Sequence, residues 1–173
     1  LKAGINVYCE KPLTETYRQS VNLFKYAKKQ NLKLYVSDIE NIKSYKRKSS
    51  DKFNFIMRSK YSKNKIDLVD RLIYHDLIFI YREKKRVHKI EIIQKELGII
   101  FLTIWVGKKI FFMHYSLNTK EEIHSLNGTN LKSNNDYLIT MVKNMISNKA
   151  DFGENRELAL FSSRITDLIK NKL

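Results

Sequence analysis

The residues of this chain that could move a proton stand in two places. Lys11 lies in Cys9-Glu10-Lys11-Pro12-Leu13-Thr14, directly after Ile5-Asn6-Val7-Tyr8-Cys9, which reads as a short buried strand. In open α/β sheets ligands sit in the crevice outside the carboxyl ends of the strands. A lysine fixed there by a following proline is well placed to act on a molecule in that crevice. Read without its neighbours, it is a surface lysine at a strand-to-helix turn. His75 lies in Arg71-Leu72-Ile73-Tyr74-His75-Asp76-Leu77, within the largely apolar stretch from Val69 to Tyr81. An imidazole titrates near neutrality and can serve as acid or base. The competing reading is a satisfied histidine on a buried helix, with Asp76 paired to Arg71 or a nearby lysine.

Other chemistries find little support. His88, His114 and His124 fall on strands or loops, no two spaced as metal ligands, and no cysteine joins them. The single cysteine, Cys9, excludes an internal disulfide, fits a reducing cytoplasm and reads as a small buried strand residue. Tyr8 and Tyr35 read as packing residues, and no Ser-His-Asp order is defensible. The five glycines, Gly4, Gly98, Gly107, Gly128 and Gly153, form no Gly-x-Gly-x-x-Gly. A dinucleotide's pyrophosphate cradle and ribose-binding acid are therefore missing from the sequence.

Lys11 and His75 have to be positioned by the elements around them. After Pro12 a helix is expected from Thr16 to Gln30, opened by a capping box of Thr16 with Gln19. Tyr17, Val21, Phe24 and Ala27 recur at helical spacing on it, and Lys28 and Lys29 suit the dipole of its last turn. Leu32-Lys33-Leu34-Tyr35-Val36 reads as the next strand. The polar, basic segment 39–52 is expected to link two domains. Phe53 to Ser59 is strand-like, and Val69 to Tyr81 reads as a mostly buried helix. Val87 to Gln94 alternates, Ile99 to Val106 is apolar like a central strand, and Ile110 to Leu117 follows the hairpin signal Gly107-Lys108-Lys109. A further strand is expected near Ile123, then helices near Asn135 to Ser147 and Glu154 to Lys170. Successive hairpins with helices on one side predict an α+β layer with an open antiparallel sheet.

The motif, strand, helix length and second strand together resemble the end of the nucleotide-binding domain in the Gfo/Idh/MocA family, named after glucose-fructose oxidoreductase and inositol dehydrogenase. There, a strand is followed by Glu-Lys-Pro-Leu, a helix and a last strand, as in Glu10-Lys11-Pro12-Leu13 here. Asn135-Asp136-Tyr137-Leu138 through Met145-Ile146-Ser147-Asn148-Lys149 is similar to the family's penultimate helix. Glu154-Asn155-Arg156-Glu157-Leu158-Ala159-Leu160 is similar to the start of its last. The resemblance implies that residues 1–38 are the last strand-helix-strand of a Rossmann-like domain and that 53–173 form a substrate and oligomerisation domain. It implies hydride transfer between NAD or NADP and a hydroxyl or carbonyl of a sugar or nucleotide sugar. Lys11 would lie near the nicotinamide and assist proton transfer; Glu10 and Pro12 would shape the cofactor-facing turn, with a Lys11-Pro12 bond open to the cis form. His75 would be acid or base, as in the family's Asp-x-x-x-His segment. Here Asp70 precedes His75 by five residues, and five positions on an α-helix turn the second side chain away. Ile78 stands where an aspartate often follows the histidine.

The 173 residues carry a net charge of +15 with 43% hydrophobic residues, which is globular rather than disordered. Lysines spread along the chain among abundant Asn, Ile and Tyr read as solvated surface; so do Lys46-Arg47-Lys48 and Lys84-Lys85-Arg86, which lack interleaved aromatics. A nucleic-acid partner is accordingly disfavoured. No apolar run approaches the roughly 18 residues of a membrane span, and no signal peptide opens the sequence. The expectation is a cytoplasmic oxidoreductase fragment, inactive by itself and homo-oligomeric through its open sheet. A non-catalytic oligomerisation or binding module is the alternative, and a basic nucleic-acid binder is another.

Overall fold

The computed structural model describes residues 1–42, 52–61, 68–131 and 137–173. The basic run at Lys46 to Lys48, most of the linker and the start of the helix expected from Asn135 lie outside them.

The chain opens with β1 (Val7–Cys9), α1 (Tyr17–Lys29) and β2 (Leu34–Val36), and β1 pairs with β2 in parallel. Thr16 caps α1 as expected: its Oγ1 accepts from the Gln19 amide at 3.3 Å, and its own amide donates to Gln19 Oε1 at 3.1 Å. Phe24 and Ala27 of α1 pack on Leu34 and Val36 of β2 in a small core. A single helical turn, α2 (Ile39–Ile42), then begins the segment expected to be a linker.

The rest builds one larger layer. Six strands, β3 (Phe53–Ser59), β4 (Val87–Glu96), β5 (Ile99–Val106), β6 (Lys109–Ser116), β7 (Ile123–Leu126) and β8 (Thr129–Asn130), form a sheet in the order β4-β5-β6-β3-β7-β8. All its pairings are antiparallel except β3 with β6, which is parallel. The parallel pair arises because β3 enters before a helix and slots between later strands, whereas β4, β5 and β6 follow one another by hairpins. β7 and β8 meet across Asn127-Gly128, both at positive φ (51° and 78°), a favoured two-residue hairpin turn. β8 is a strand beyond those expected from the sequence, and Asn127-Gly128 is its local signal.

Between β3 and β4 lies the helix expected from Val69 to Tyr81. Its first turn, Val69–Ile73, is π-helical and runs directly into α3 (Tyr74–Tyr81). α4 (Tyr137–Ile146) and α5 (Phe152–Lys170) close the chain. Alternate residues of the strands, among them Ile56, Leu102, Ile104, Phe111 and Met113, face α3 and α5 in the main core. α5 serves both cores: Leu158, Ile165 and Ile169 face the sheet, and Ala159 packs on the small β1-α1-β2 unit.

The opposite sheet face is open. Phe53, Phe55 and Met57 are 49%, 57% and 44% exposed, although they alternate with buried residues of the same strand. Phe55 stacks on Phe112 at 5.0 Å between ring centroids, and Lys89 lies over the half-buried Trp105. Among the described residues no helix is long and apolar enough to cross a membrane.

Candidate functional site

Lys11 sits at the carboxyl end of β1, on a cis Lys11-Pro12 peptide bond. Its ammonium reaches across to the π-helical turn and donates to the carbonyls of Asp70 at 2.8 Å and Arg71 at 2.9 Å. A π-turn closes i→i+5 rather than i→i+4; here the Tyr74 amide bonds to the Val69 carbonyl. This widened turn is where the two carbonyls meet Lys11. Burial, then the neighbouring Arg58 charge, lowers the Lys11 pKa to about 8.

The same turn bears on the spacing of Asp70 and His75. The objection that five residues separate their faces assumes an α-helix. The π-turn lies between the two and takes up the extra residue. The Asp70 carboxylate is nonetheless committed to Lys170 of α5, at 2.6 Å. What Asp70 presents to Lys11 is its backbone carbonyl.

His75 lies on the first turn of α3 and lines a small cavity with Asp38, Glu40, Tyr74 and Ser162. The cavity, about 20 Å³, has room for about one water. Burial, then the charges of Lys11 and Arg58, holds the His75 pKa well below its usual value. The ring is therefore neutral at neutral pH, its protonated form disfavoured by burial and by the two neighbouring cations. Lys11 and His75, 64 positions apart in sequence, thus fall within electrostatic reach of each other. Glu10 is exposed and accepts from the Tyr8 hydroxyl at 3.3 Å, beside Pro12 at the same turn.

Behind His75 stands a polar group that sequence reasoning missed. Asp76 is fully buried, and its partner is neither Arg71 nor a nearby lysine. Oδ1 accepts from Arg58 Nη1 at 3.1 Å and faces His124 Nε2 at 2.9 Å, while Oδ2 accepts from the Tyr115 hydroxyl at 3.1 Å. Arg58 also faces Glu40 of α2 at 3.7 Å. Burial alone would raise the Asp76 pKa; Arg58 and His124 outweigh it and hold the carboxyl below the usual range. Three strands, β3, β6 and β7, each contribute one partner to this carboxylate. The signal was available: an aspartate inside an apolar helix needs a buried partner, and Arg58 is the one charge in β3.

Cys9 is half-buried, its thiol directed to the Glu10 carbonyl at 3.2 Å, and burial raises its pKa. The described residues contain no group of three or more His, Cys, Asp or Glu side chains able to hold a metal ion.

Compared by sequence, the chain matches no protein-family model and no curated protein. Compared by structure, it is similar to solved dehydrogenases. Against the UDP-N-acetylglucosamine 3-dehydrogenase GnnA from Acidithiobacillus ferrooxidans the TM-score is 0.82 at 12% identity, over 99% of this chain and 72% of that one. Against the WlbA (WbpB) dehydrogenase from Thermus thermophilus, solved in complex with NAD and alpha-ketoglutarate, it is 0.83 at 11% identity, over 98% and 65%. Against the dehydrogenase MviM from Clostridium difficile it is 0.76 at 13% identity, over 99% and 73%. The chain thus spans about two thirds to three quarters of the length of these neighbours. At such identities the likeness establishes the fold, an α+β sheet domain preceded by a strand-helix-strand of Rossmann type.

Proposed function

We propose that this chain is the substrate-side portion of an NAD(P)-dependent oxidoreductase of the Gfo/Idh/MocA type, acting on a hydroxyl or carbonyl of a sugar or nucleotide sugar. The observation that carries the reading is that Lys11, from the end of β1, reaches the turn leading into the helix of His75, its ammonium bonded to the Asp70 and Arg71 carbonyls. His75, neutral at neutral pH, is the base that would take the proton of a substrate hydroxyl. Lys11, with a pKa of about 8, would stabilise charge developing on that oxygen and favour its ionisation. Asp70 would hold the π-turn through Lys170 rather than touch substrate. Residues 1–38 would be the dinucleotide-domain portion, 39–52 the connection and 53–173 the substrate side.

NAD(P), when bound, would supply the hydride acceptor or donor. Glu10, Lys11 and Pro12 fit the nicotinamide end of such a cofactor. No pattern in these 173 residues fits its pyrophosphate. The GnnA neighbour is by its name a UDP-N-acetylglucosamine dehydrogenase, which supports a nucleotide sugar as the first substrate to try. The single cysteine supports a reducing, cytoplasmic setting.

The test is saturation-transfer NMR with UDP-N-acetylglucosamine on the wild-type chain and on His75→Ala, with an NAD(H) absorbance assay in parallel. The expected result is sugar contact that His75→Ala abolishes, and no turnover by these residues alone. Sugar contact indifferent to His75 would remove the assigned site. NAD(H)-dependent turnover by the 173 residues would refute the view that they are only a portion of the enzyme.

A second reading, a non-catalytic oligomerisation module, is favoured by the open aromatic sheet face. The two are compatible, since a homo-oligomer joined through that face leaves the Lys11 side of the molecule free.

A further inference from the structure

The basic run Lys84-Lys85-Arg86, read from sequence as solvated surface, does not stand alone in the fold. Lys85 and Arg86 border a cleft of about 610 Å³ between the start of β4 and the last turns of α5. Arg164 and Lys172 face them from the helix side. Arg164 and Leu168, four residues apart, share one stripe of α5, and Lys172 follows just past its end. Phe161, Ile165 and Leu168 supply the cleft with an apolar floor. Phe161 is fixed from behind by Tyr81, at 5.6 Å between ring centroids.

The charge balance of the cleft is one-sided. Among the described residues no carboxylate side chain lines it. Of the acids nearest in sequence, Glu83 pairs with Lys109 at 2.9 Å and Asp167 with the Tyr17 amide at 2.8 Å, while Glu91 pairs at 2.8 Å with Lys89, a further lysine of the cleft wall that is thereby neutralised. Among the described residues Lys85, Arg86, Arg164 and Lys172 have no anionic partner within 4.0 Å. Four cations turned toward one concavity repel each other, and an anion placed among them relieves that repulsion. The floor adds a second requirement, because Leu168 remains 41% exposed. The volume lies within the range of small-ligand sites, roughly 300–1,000 Å³.

We propose that this cleft binds a phosphorylated small molecule with a planar or apolar body, of the nucleotide class. Phosphate oxygens would take the guanidinium groups of Arg86 and Arg164, whose planar forks suit them. The body would lie on Phe161 and Leu168. The site is separate from Lys11 and His75 and is independent of the reaction assigned to them.

Isothermal titration calorimetry with ADP tests the proposal, with adenosine, inorganic pyrophosphate and a short DNA duplex as further probes. The variants are Arg164→Glu with Lys172→Glu, at exposed cleft positions, and Lys25→Glu with Lys29→Glu, an equal charge change on the exposed face of α1. ADP is expected to bind more tightly than adenosine or pyrophosphate and to weaken with salt. The cleft pair is expected to lose about tenfold or more in affinity, and the α1 pair much less. Circular dichroism melts confirm that both pairs fold. Absence of ADP binding, or equal loss in both pairs, would overturn the site. Pyrophosphate matching ADP would remove the floor's role. DNA bound through the same residues and not displaced by ADP would overturn the small-molecule assignment.

Discussion

Asp76 shows how much one side chain can organise. A carboxylate with no exposed surface is tolerable only while Arg58, His124 and Tyr115 satisfy it. Asp76→Asn keeps the shape and removes the charge, leaving Arg58 facing a neutral amide. Breaking a buried pair in this way costs about 3 kcal/mol or more, a large fraction of the roughly 5–15 kcal/mol that a domain has. Urea denaturation at neutral pH is expected to show that loss. The pH dependence has a definite sign. A carboxyl whose folded pKa is depressed contributes stability above its unfolded value, here 3.8, and loses it as pH falls through the folded value. The gap between wild type and Asp76→Asn is therefore expected to narrow as pH drops below about 3.8. A gap constant with pH would show that the charge of Asp76 contributes nothing. Because Asp76 adjoins His75 in α3, the same substitution is expected to disturb the cavity that His75 lines.

At the scale of elements, the joint between the two parts of the chain rests on Asn155. In the first turn of α5 its amide accepts from the Val36 N–H at 3.0 Å and donates to the Val36 carbonyl at 2.8 Å. The side chain thereby satisfies the edge of β2 as a neighbouring strand would. Asn155→Leu leaves both backbone groups buried without partners, and Val36 is only 1% exposed. A cost of about 2 kcal/mol or more follows. Amide hydrogen exchange is expected to accelerate across Leu34–Val36 while the six-stranded sheet stays protected. Uniform acceleration would mean that the two parts unfold as one unit. The elements themselves were legible because local chemistry sets them: the Thr16-Gln19 capping box places the start of α1, and period-two alternation marks β4. The joint was not, since nothing local in Glu154-Asn155-Arg156 says that the amide will reach residue 36. The π-turn escaped for a related reason. A 3.6-residue period was imposed on Val69 to Tyr81, and a turn one residue wider is recognised only from its i→i+5 bond. The same limit applied to Asp76, whose partners on β3, β6 and β7 come together only when the sheet order is known.

At the scale of the whole molecule, the sheet has one face too many for a chain that stands alone. Its inner side is sealed by α3 and α5, while Phe53, Phe55 and Met57 remain exposed on the outer side, next to Phe112. Contiguous apolar surface of this kind is uncommon on monomers and marks an interaction surface. The most economical partner is a second copy, because a two-fold axis lets one patch complement itself. Phe55 and Phe112 lie on neighbouring strands, paired in register. Placing aspartate at both would put four charges into such an interface and none into the core, which lies on the other side of the sheet. Sedimentation velocity is expected to find the wild-type chain as a dimer and Phe55→Asp with Phe112→Asp as a monomer with a similar melting temperature. A wild-type chain that stays monomeric across micromolar concentrations would remove this assignment and leave the aromatic face to a different protein. A double variant that stays dimeric would place the interface elsewhere. In both cases the site proposed at Lys11 and His75 is untouched, since Lys11 bonds to the turn before α3, on the helix-covered side of the sheet.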